Sequence, residues 1–161
     1  MHQNTYQSIT AAVMTISDTR NQATDKGGAT VINHLSAHDI TVSHYEIVQD
    51  DINAIQQSMT QLINSVDIII TTGGTGIAKR DVTIEAVKPL VDKELEGFGE
   101  LFRYLSFTED VGTKAMLSRA FCGTSGHTVI FCIPGSVGAV DLAMKKLITQ
   151  EVFHMVNELH K

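Results

Sequence analysis

A turn rich in glycine, with two cations and two carboxylates after it, follows a short apolar run at residues 67–72. The turn comprises Gly73, Gly74, Thr75 and Gly76, and the charged side chains after it are Lys79, Arg80, Asp81 and Glu85. Glycines let backbone N–H groups approach an anionic group that side chains would hold away. The pattern therefore predicts a binding site for a phosphate or a pterin.

Asp81 is the carboxylate in this segment that is best suited to chemistry. Thr83 is expected to cap the following helix, with Glu85 in its first turn, so that Asp81 is not needed as a cap. A carboxylate beside a phosphate-binding turn is a suitable ligand for Mg²⁺, which bridges protein carboxylates to substrate phosphates. Asp50 and Asp51 follow another predicted strand, where one should cap a helix and the other could face the same site. The residue pattern leaves open which of the two does so.

The turn matches neither common nucleotide fingerprint. A P-loop needs Gly-x-x-x-x-Gly-Lys-[Ser/Thr], and a dinucleotide-binding turn needs Gly-x-Gly-x-x-Gly at the start of a helix. Here Lys79 stands where the third glycine should be. A tight turn without any ligand is the structural alternative.

The order of apolar runs indicates the fold class. Strands are predicted at residues 8–16, 40–48, 67–72 and 128–133, and helices at 29–38, 52–63, from about 83, after 136 and at 150–159. This alternation predicts one domain over residues 1–161, a three-layer α/β/α sandwich with a mostly parallel central sheet. Residues 95–126 are expected to form short helices and a hairpin. Because both glycine turns follow apolar strands, they should open on the same edge of the sheet.

Other polar positions have ordinary structural explanations. Ser136 is expected to cap a helix, whose N-terminus can also receive an anion. Ser118 and Glu100 fall in the irregular region, where isolated polar residues are usually solvated. His34 and His38 are spaced for joint metal ligation on a helix, but the pattern supplies no third ligand, so we interpret them as surface histidines.

Composition limits the class of protein. The chain has 161 residues, of which 43% are hydrophobic, and a formal net charge of −6, which is the wrong sign for binding a nucleic-acid backbone. Cys122 and Cys132 lack metal-site spacing and are expected to be reduced thiols. The N-terminus lacks a signal-peptide pattern, and no apolar run approaches a membrane span. We expect a cytoplasmic protein that binds neither nucleic acid nor membrane.

Together these segments resemble the molybdenum-cofactor biosynthesis proteins of the MoaB/MogA family, whose fold is shared with the gephyrin G domain. The most specific part is the run Thr71-Thr72-Gly73-Gly74-Thr75-Gly76, followed by Arg80-Asp81-Val82-Thr83 and Glu85. Supporting matches are Ser17-Asp18, Asp25-Lys26-Gly27, Asp50, Gly97-Phe98-Gly99-Glu100, Leu117-Ser118-Arg119 and Pro134-Gly135-Ser136. The resemblance covers nearly the whole chain.

The resemblance implies that the ligand is molybdopterin and that active members use ATP with Mg²⁺ to adenylylate it. It implies that Asp81 is the catalytic carboxylate and a Mg²⁺ ligand, with Asp50 as its companion. The residues implied to bind the pterin and phosphate are Gly73, Gly74, Thr75, Gly76, Glu100, Ser118, Pro134, Gly135 and Ser136. It also implies a homo-oligomer, either a trimer or a hexamer.

Two positions depart from the family pattern. Ile84 stands where many members have proline, a change that should cost a little helix stability and no chemistry. Val137 stands where the MogA branch commonly has proline, and Pro-Gly-Ser-Val resembles the MoaB branch instead. A non-catalytic pterin-binding or scaffold protein of the same pathway is therefore the alternative function. A more distant alternative is a dinucleotide-dependent oxidoreductase, against which the failed fingerprint argues.

Overall fold

The computed structural model describes residues 8–161, and a six-stranded sheet runs through the middle of this part of the chain. Its strands are β1 Thr10–Ile16, β2 Thr41–Val48, β3 Ile68–Thr72, β4 Lys93–Glu94, β5 Phe121–Ser125 and β6 Thr128–Ile133. Their spatial order is β2-β1-β3-β6-β5-β4. The first four in this order are parallel, whereas β5 and β4 pair antiparallel. The predicted mostly parallel sheet is confirmed.

Helices cover both faces of the sheet. They are α1 Lys26–Ala37, α2 Ile52–Leu62, α3 Thr83–Val87, α4 Glu96–Glu109, α5 Val137–Ala143 and α6 Thr149–Leu159. A π-helical turn, Met144–Ile148, joins α5 to α6, and the 3-10 turns are Lys88–Leu90 and Gly112–Leu117. None of the helices in residues 8–161 combines the length and apolar character that a membrane crossing requires.

The central strand β3 shows why three layers form. Ile68, Ile69 and Ile70 are fully buried, and successive strand residues point to opposite faces of a sheet. Ile68 and Ile70 pack in one apolar cluster with residues of α1, α4, α5 and α6. Ile69 belongs to a second cluster with residues of α2 and α3. The predicted three-layer α/β/α sandwich is therefore confirmed.

Helix α1 begins three residues earlier than predicted because Asp25 caps it. Asp25 is buried, and its Oδ1 accepts a hydrogen bond from the N–H of Gly28 at 2.9 Å. Its Oδ2 accepts from Thr15 Oγ1 at 2.6 Å and from Tyr45 Oη at 2.5 Å. This buried carboxylate therefore ties α1 to β1 and β2.

The region from 95 to 126 is more regular than the sequence indicated. It contains the short 3-10 helix Gly112–Leu117, as expected, and also the longer helix α4, which has 14 residues and continues through Gly97 and Gly99. Its N-terminal half faces the sheet through Phe98, which packs on Phe131 edge to face with ring centroids 5.1 Å apart. Packing of the apolar face thus outweighs the low helix propensity of the two glycines. The predicted hairpin is present as β5 and β6.

Candidate functional site

The two glycine turns meet at the carboxyl ends of neighbouring strands. The N–H of Gly73, just after β3, donates to the carbonyl of Ile133 at the end of β6, at 2.9 Å. A methyl group at Gly135 would lie 3.5 Å from the Cα of Gly73, and one at Gly27 of α1 would lie 2.6 Å from the carbonyl oxygen of Gly135. A side chain at position 27 would therefore collide with the backbone at Gly135, whereas one at position 135 would only come into ordinary contact with Gly73.

Gly73 and Gly74 have left-handed conformations, with φ of 95° and 74°. Thr83 holds them there, because its Oγ1 donates to the carbonyl of Gly73 at 2.9 Å and its N–H donates to the carbonyl of Gly74 at 3.1 Å. The prediction that Thr83 caps α3 is wrong: it is the first helical residue, and the Val82 cap position makes no side-chain bond. The hydroxyl is used by the glycine turn instead.

Arg119 fastens the far end of the glycine turn. Its backbone N–H donates to the carbonyl of Thr75 at 2.9 Å, and its guanidinium donates to the carbonyls of Gly76 and Asp81, both at 3.0 Å. The same guanidinium binds Glu85 Oε2 at 2.5 Å, and this hydrogen bond lowers the pKa of the Glu85 carboxyl. The sequence analysis gave Arg119 no role of its own. Its backbone acceptors could not be identified before the fold was known.

A cavity of about 350 Å³ opens beside this turn. Eight of the predicted binding residues line it: Gly74, Thr75, Gly76, Asp81, Ser118, Pro134, Gly135 and Ser136. Of the other predicted site residues, Gly73 supports the turn from behind, and Asp50 and Glu100 are outside the lining. The sequence analysis missed Phe102, Ser106, Asp110, Val111, Lys114, Ala115, Leu117 and Ala139, which α4, the 3-10 turn Gly112–Leu117 and α5 bring to the same wall. A size in this range suits a small organic ligand.

Hydroxyl groups at the cavity differ in how they are used. Ser136 Oγ accepts from the N–H of Ala139 at 3.3 Å, so Ser136 caps α5 as predicted. Ser118 Oγ is buried and has no hydrogen-bond partner among residues 8–161. Because a buried hydroxyl without a partner is costly, Ser118 is the group whose hydrogen bond a ligand in this cavity would complete.

The structure distinguishes Asp50 from Asp51. Asp51 caps α2, since its Oδ2 accepts from the N–H of Ala54 at 2.9 Å. Asp50 is left for the site, and its backbone N–H donates to Asp18 Oδ1 at 2.9 Å. Burial raises the pKa of the Asp50 carboxyl, and the negative charges of Asp18 and Asp81 raise it further, partly opposed by Arg80. The negative charge of Asp81 therefore acts on the Asp50 carboxyl.

The electrostatic interaction between Asp50 and Asp81 is relevant to the predicted Mg²⁺ site. Within residues 8–161, no three His, Cys, Asp or Glu side chains form a complete ligand cluster. Mg²⁺ is commonly held by one or two carboxylates together with waters and substrate phosphates, so Asp50 and Asp81 are a fitting donor set. Asp81 Oδ2 already accepts from the N–H of Ala78 at 2.9 Å, which orients its carboxylate. A divalent cation would also relieve the repulsion that raises the pKa of Asp50.

Glu100 lies elsewhere. It lines a separate depression of about 220 Å³ with Glu94, Glu96 and Arg103, at the start of α4. A further cavity of about 520 Å³ lies beyond the ends of β1 and β2. Ser17, Asp18, Arg20, Asn21, Gln22, Tyr45, Glu46, Ile47 and Gln49 line it. Asp18 thus contacts the Asp50 backbone and also borders this second cavity.

The histidine pair does not form a metal site in the described part of the chain. His34 Nε2 lies 2.8 Å from Asp141 Oδ1, an ion pair between α1 and α5 when the histidine is protonated. His38 Nδ1 lies 2.9 Å from the carbonyl oxygen of His34. The two rings have separate partners, as expected of surface histidines.

Comparison with known proteins adds independent information. A family described as "Probable molybdopterin binding domain" matches residues 12–154. Molybdenum cofactor biosynthesis protein B of Staphylococcus aureus is 58% identical over 165 residues, covering 99% of this chain and 98% of that protein. The protein of the same name from Staphylococcus epidermidis is 54% identical over 167 residues, covering 99% and 95%.

Solved structures agree with the sequence matches. A crystal structure of a molybdenum cofactor biosynthesis protein B is 51% identical with a TM-score of 0.92, covering 98% of this chain and 99% of that one. The tungsten cofactor synthesizing protein MoaB of Pyrococcus furiosus is 39% identical with a TM-score of 0.86, covering 96% and 99%. A MogA structure is 29% identical with a TM-score of 0.84, covering 93% and 99%.

Proposed function

We propose, because the chain belongs to the MoaB family of molybdenum-cofactor biosynthesis proteins, that it adenylylates molybdopterin with Mg-ATP. In this reaction an oxygen of the terminal phosphate of molybdopterin attacks the α-phosphorus of ATP. The bond from that phosphorus to the bridging oxygen breaks, and the products are adenylylated molybdopterin and pyrophosphate. The step demands positioning and charge neutralisation rather than covalent help from the protein.

The observation that carries the proposal is the cavity in which the glycine turn, Asp81 and the unpartnered hydroxyl of Ser118 meet. In this proposal the pterin occupies the cavity, Ser118 Oγ donates to it or accepts from it, and the exposed backbone of the turn at 74–76 contacts its phosphate. Arg119 is a positioning residue, since its guanidinium is bound to the turn's carbonyls. Glu100 is outside this cavity, so contact with the pterin would require the ligand to reach the depression at the start of α4.

Asp81 and Asp50 are the residues that would hold Mg²⁺, which supplies charge neutralisation for the converging phosphates. Both carboxylates must be ionised for this role. Because the pKa of Asp50 is raised, its ionisation is completed at a higher pH than that of an ordinary aspartate. The second cavity, bordered by Asp18, is the nearby space of suitable size for the nucleoside of ATP.

A homo-oligomer is part of the proposal. Helix α4 exposes Leu101, Tyr104 and Phe107, three residues apart, with 55%, 64% and 53% of each side chain accessible. A stripe of large apolar side chains on one helix face is typical of a protein interface. We expect light scattering to show a trimer or a hexamer, and Tyr104→Glu to reduce the mass toward that of the monomer. A cytoplasmic location stays a prediction.

The reaction is tested with purified protein, molybdopterin and Mg-ATP. Wild type should form adenylylated molybdopterin and pyrophosphate in equal amounts. Asp81→Asn should lose rate at least about a hundredfold with little change in pterin affinity, because the amide cannot neutralise or ligate the cation. Asp39→Asn, at an exposed residue that lines neither cavity, is the matched control. Pterin binding without any turnover by the wild type would contradict the proposal.

The alternative is a non-catalytic molybdopterin-binding or scaffold protein of the same pathway. It is favoured by Val137, which replaces the proline typical of the MogA branch. In that case Mg-ATP should not change the affinity of the protein for the pterin. Calorimetry that detects binding and consumption of both substrates would exclude this alternative.

A further inference from the structure

Three charged side chains line the cavity of about 350 Å³ beside the glycine turn: Asp81, Asp110 and Lys114. The proposed reaction assigns Asp81 to the metal and the phosphates. Asp110 and Lys114 have no assigned task. They come from the end of α4 and from the 3-10 turn Gly112–Leu117.

Neither side chain has a partner within residues 8–161. Both side chains are exposed, and they make no side-chain hydrogen bond and no ion pair there, even with each other. Asp110 lies at the C-terminal end of α4, where a negative charge is unfavourable, and beside the N-terminal turn of α5, where a negative charge is favourable. Its Oδ1 would lie 3.3 Å from a methyl group at Gly138, so the missing side chain there leaves room for the carboxylate beside the first turn of α5.

An acid and a base that share a cavity without pairing suit a ligand that offers donors and an acceptor side by side. The pyrimidine edge of a pterin has this pattern, with N–H donors at N2 and N3 and a carbonyl acceptor at O4. A carboxylate accepts from both N–H groups, and an ammonium group donates to the carbonyl oxygen.

We propose, on the basis of the proposed function, that Asp110 and Lys114 are the specificity-determining pair that binds the 2-amino-4-oxo edge of the pterin. Asp110 accepts from N2–H and N3–H, and Lys114 donates to O4. The ring is thereby oriented with its phosphate-bearing side chain toward Asp81, where the proposed transfer occurs. The pair thus selects the ring, while the glycine turn binds the phosphate.

Three small probes separate these two contacts. The probes are 6-hydroxymethylpterin phosphate, its 2-oxo analogue, in which the N2 donor is lost, and its 2,4-diamino analogue, in which both the O4 acceptor and the N3–H donor are lost. Their binding is followed by the intrinsic fluorescence of the ring. Wild type should prefer the pterin over each analogue by about tenfold, the lower end of the range for hydrogen bonds to charged groups.

The variants should lose these preferences separately. Asp110→Asn should reduce the preference over the 2-oxo analogue to about twofold or less and reduce the preference over the diamino analogue only in part, because that analogue lacks N3–H as well as O4. Lys114→Gln should retain the preference over the 2-oxo analogue and reduce only the preference over the diamino analogue, and Lys114→Arg should retain both preferences. Lys145→Gln, an exposed lysine on the π-helical turn outside this cavity, and Asp39→Asn are the matched controls and should behave as wild type.

Other outcomes overturn the inference. If Lys114 binds phosphate instead, Lys114→Gln will weaken all three probes equally, and removing the phosphate from the probes will abolish the difference. Unchanged preferences in both variants, with wild-type affinity for the pterin, overturn the inference and leave the proposed function standing. If wild type binds neither these probes nor molybdopterin, the proposed function and the inference both fall.

Discussion

The Gly74→Ala substitution tests whether steric contact with Thr83, as well as the backbone conformation, requires glycine at position 74. The residue has a φ of 74°, and an added methyl group would lie 2.1 Å from Thr83 Oγ1. A non-glycine residue in the left-handed region costs about 1–2 kcal/mol. Relief of the overlap requires Thr83 to move, which loses its buried hydrogen bond to the Gly73 carbonyl, about 1 kcal/mol, and disturbs packing at a cost of about 1 kcal/mol more.

The expected loss in the free energy of unfolding is therefore about 3–4 kcal/mol for Gly74→Ala. Gly112→Ala is the matched control, since Gly112 has a φ of 67° and open space around it. It should cost only the conformational term of about 1–2 kcal/mol. Urea denaturation followed by circular dichroism measures both, provided that the slope with denaturant is unchanged.

A double variant isolates the collision. In a Thr83→Ala background, the nearest atom to the methyl group of Gly74→Ala becomes the Cβ at position 83, 3.1 Å away. The second substitution should then cost about 1–2 kcal/mol, so the two changes should be less than additive by a similar amount. Strict additivity, or a Gly74→Ala loss equal to that of Gly112→Ala, would refute this account of the turn.

Three further predictions concern charge and hydrogen bonding. Asp18→Asn should lower the pKa of Asp50 toward the ordinary 3.8, because Asp18 is its largest charged perturber, and carboxyl carbon NMR shifts would follow the titration; no change would contradict a shared field. Arg119→Lys should lower the free energy of unfolding by about 1–3 kcal/mol, because it removes hydrogen bonds to the carbonyls of the glycine turn. Glu85→Gln should lower it by less than about 1 kcal/mol, because it removes only an exposed ion pair. Urea denaturation measures both losses, and the opposite order would be evidence against this ranking. Burial and the hydrogen bond to the buried Asp25 carboxylate raise the pKa of Tyr45. The stabilisation that Tyr45 contributes to the folded state is therefore fully present below pH 10 and is lost as the pH rises above 10. Tyr45→Phe should flatten that alkaline decline in the free energy of unfolding, and tyrosinate absorbance at pH 10 should come from the other tyrosines only.

Much of the fold follows from local patterns in the sequence. Three consecutive isoleucines at 68–70 precede the threonines of β3, and the segment forms a strand buried on both faces, as continuous apolar runs usually do. The shared edge of the two glycine turns also followed from the alternation of strands and helices. Helix α4 could not be predicted from local patterns. Its two glycines lower the helix propensity of the segment, and its stability comes from the aromatic contacts that it makes with the sheet.

The candidate site was also predictable only in part, because tertiary packing brings some of its residues together. Asp81 and the glycine turn are contiguous in sequence, so the motif revealed them. Asp110 and Lys114 reach the cavity through tertiary packing, and no local pattern marks them. The role of Thr83 was misjudged because its hydroxyl can either accept from a backbone N–H at a helix end or donate to a neighbouring carbonyl, and only the path of the chain decides between the two.

The stacking of Gly27, Gly135 and the backbone at Gly73 has an evolutionary consequence. A side chain at position 27 would collide with the Gly135 carbonyl oxygen, so this contact restricts the sequence whichever ligand is bound. The residues that α4 and the 3-10 turn Gly112–Leu117 bring to the cavity are free of that restriction. Divergence among relatives should therefore accumulate at these lining residues while position 27 stays glycine.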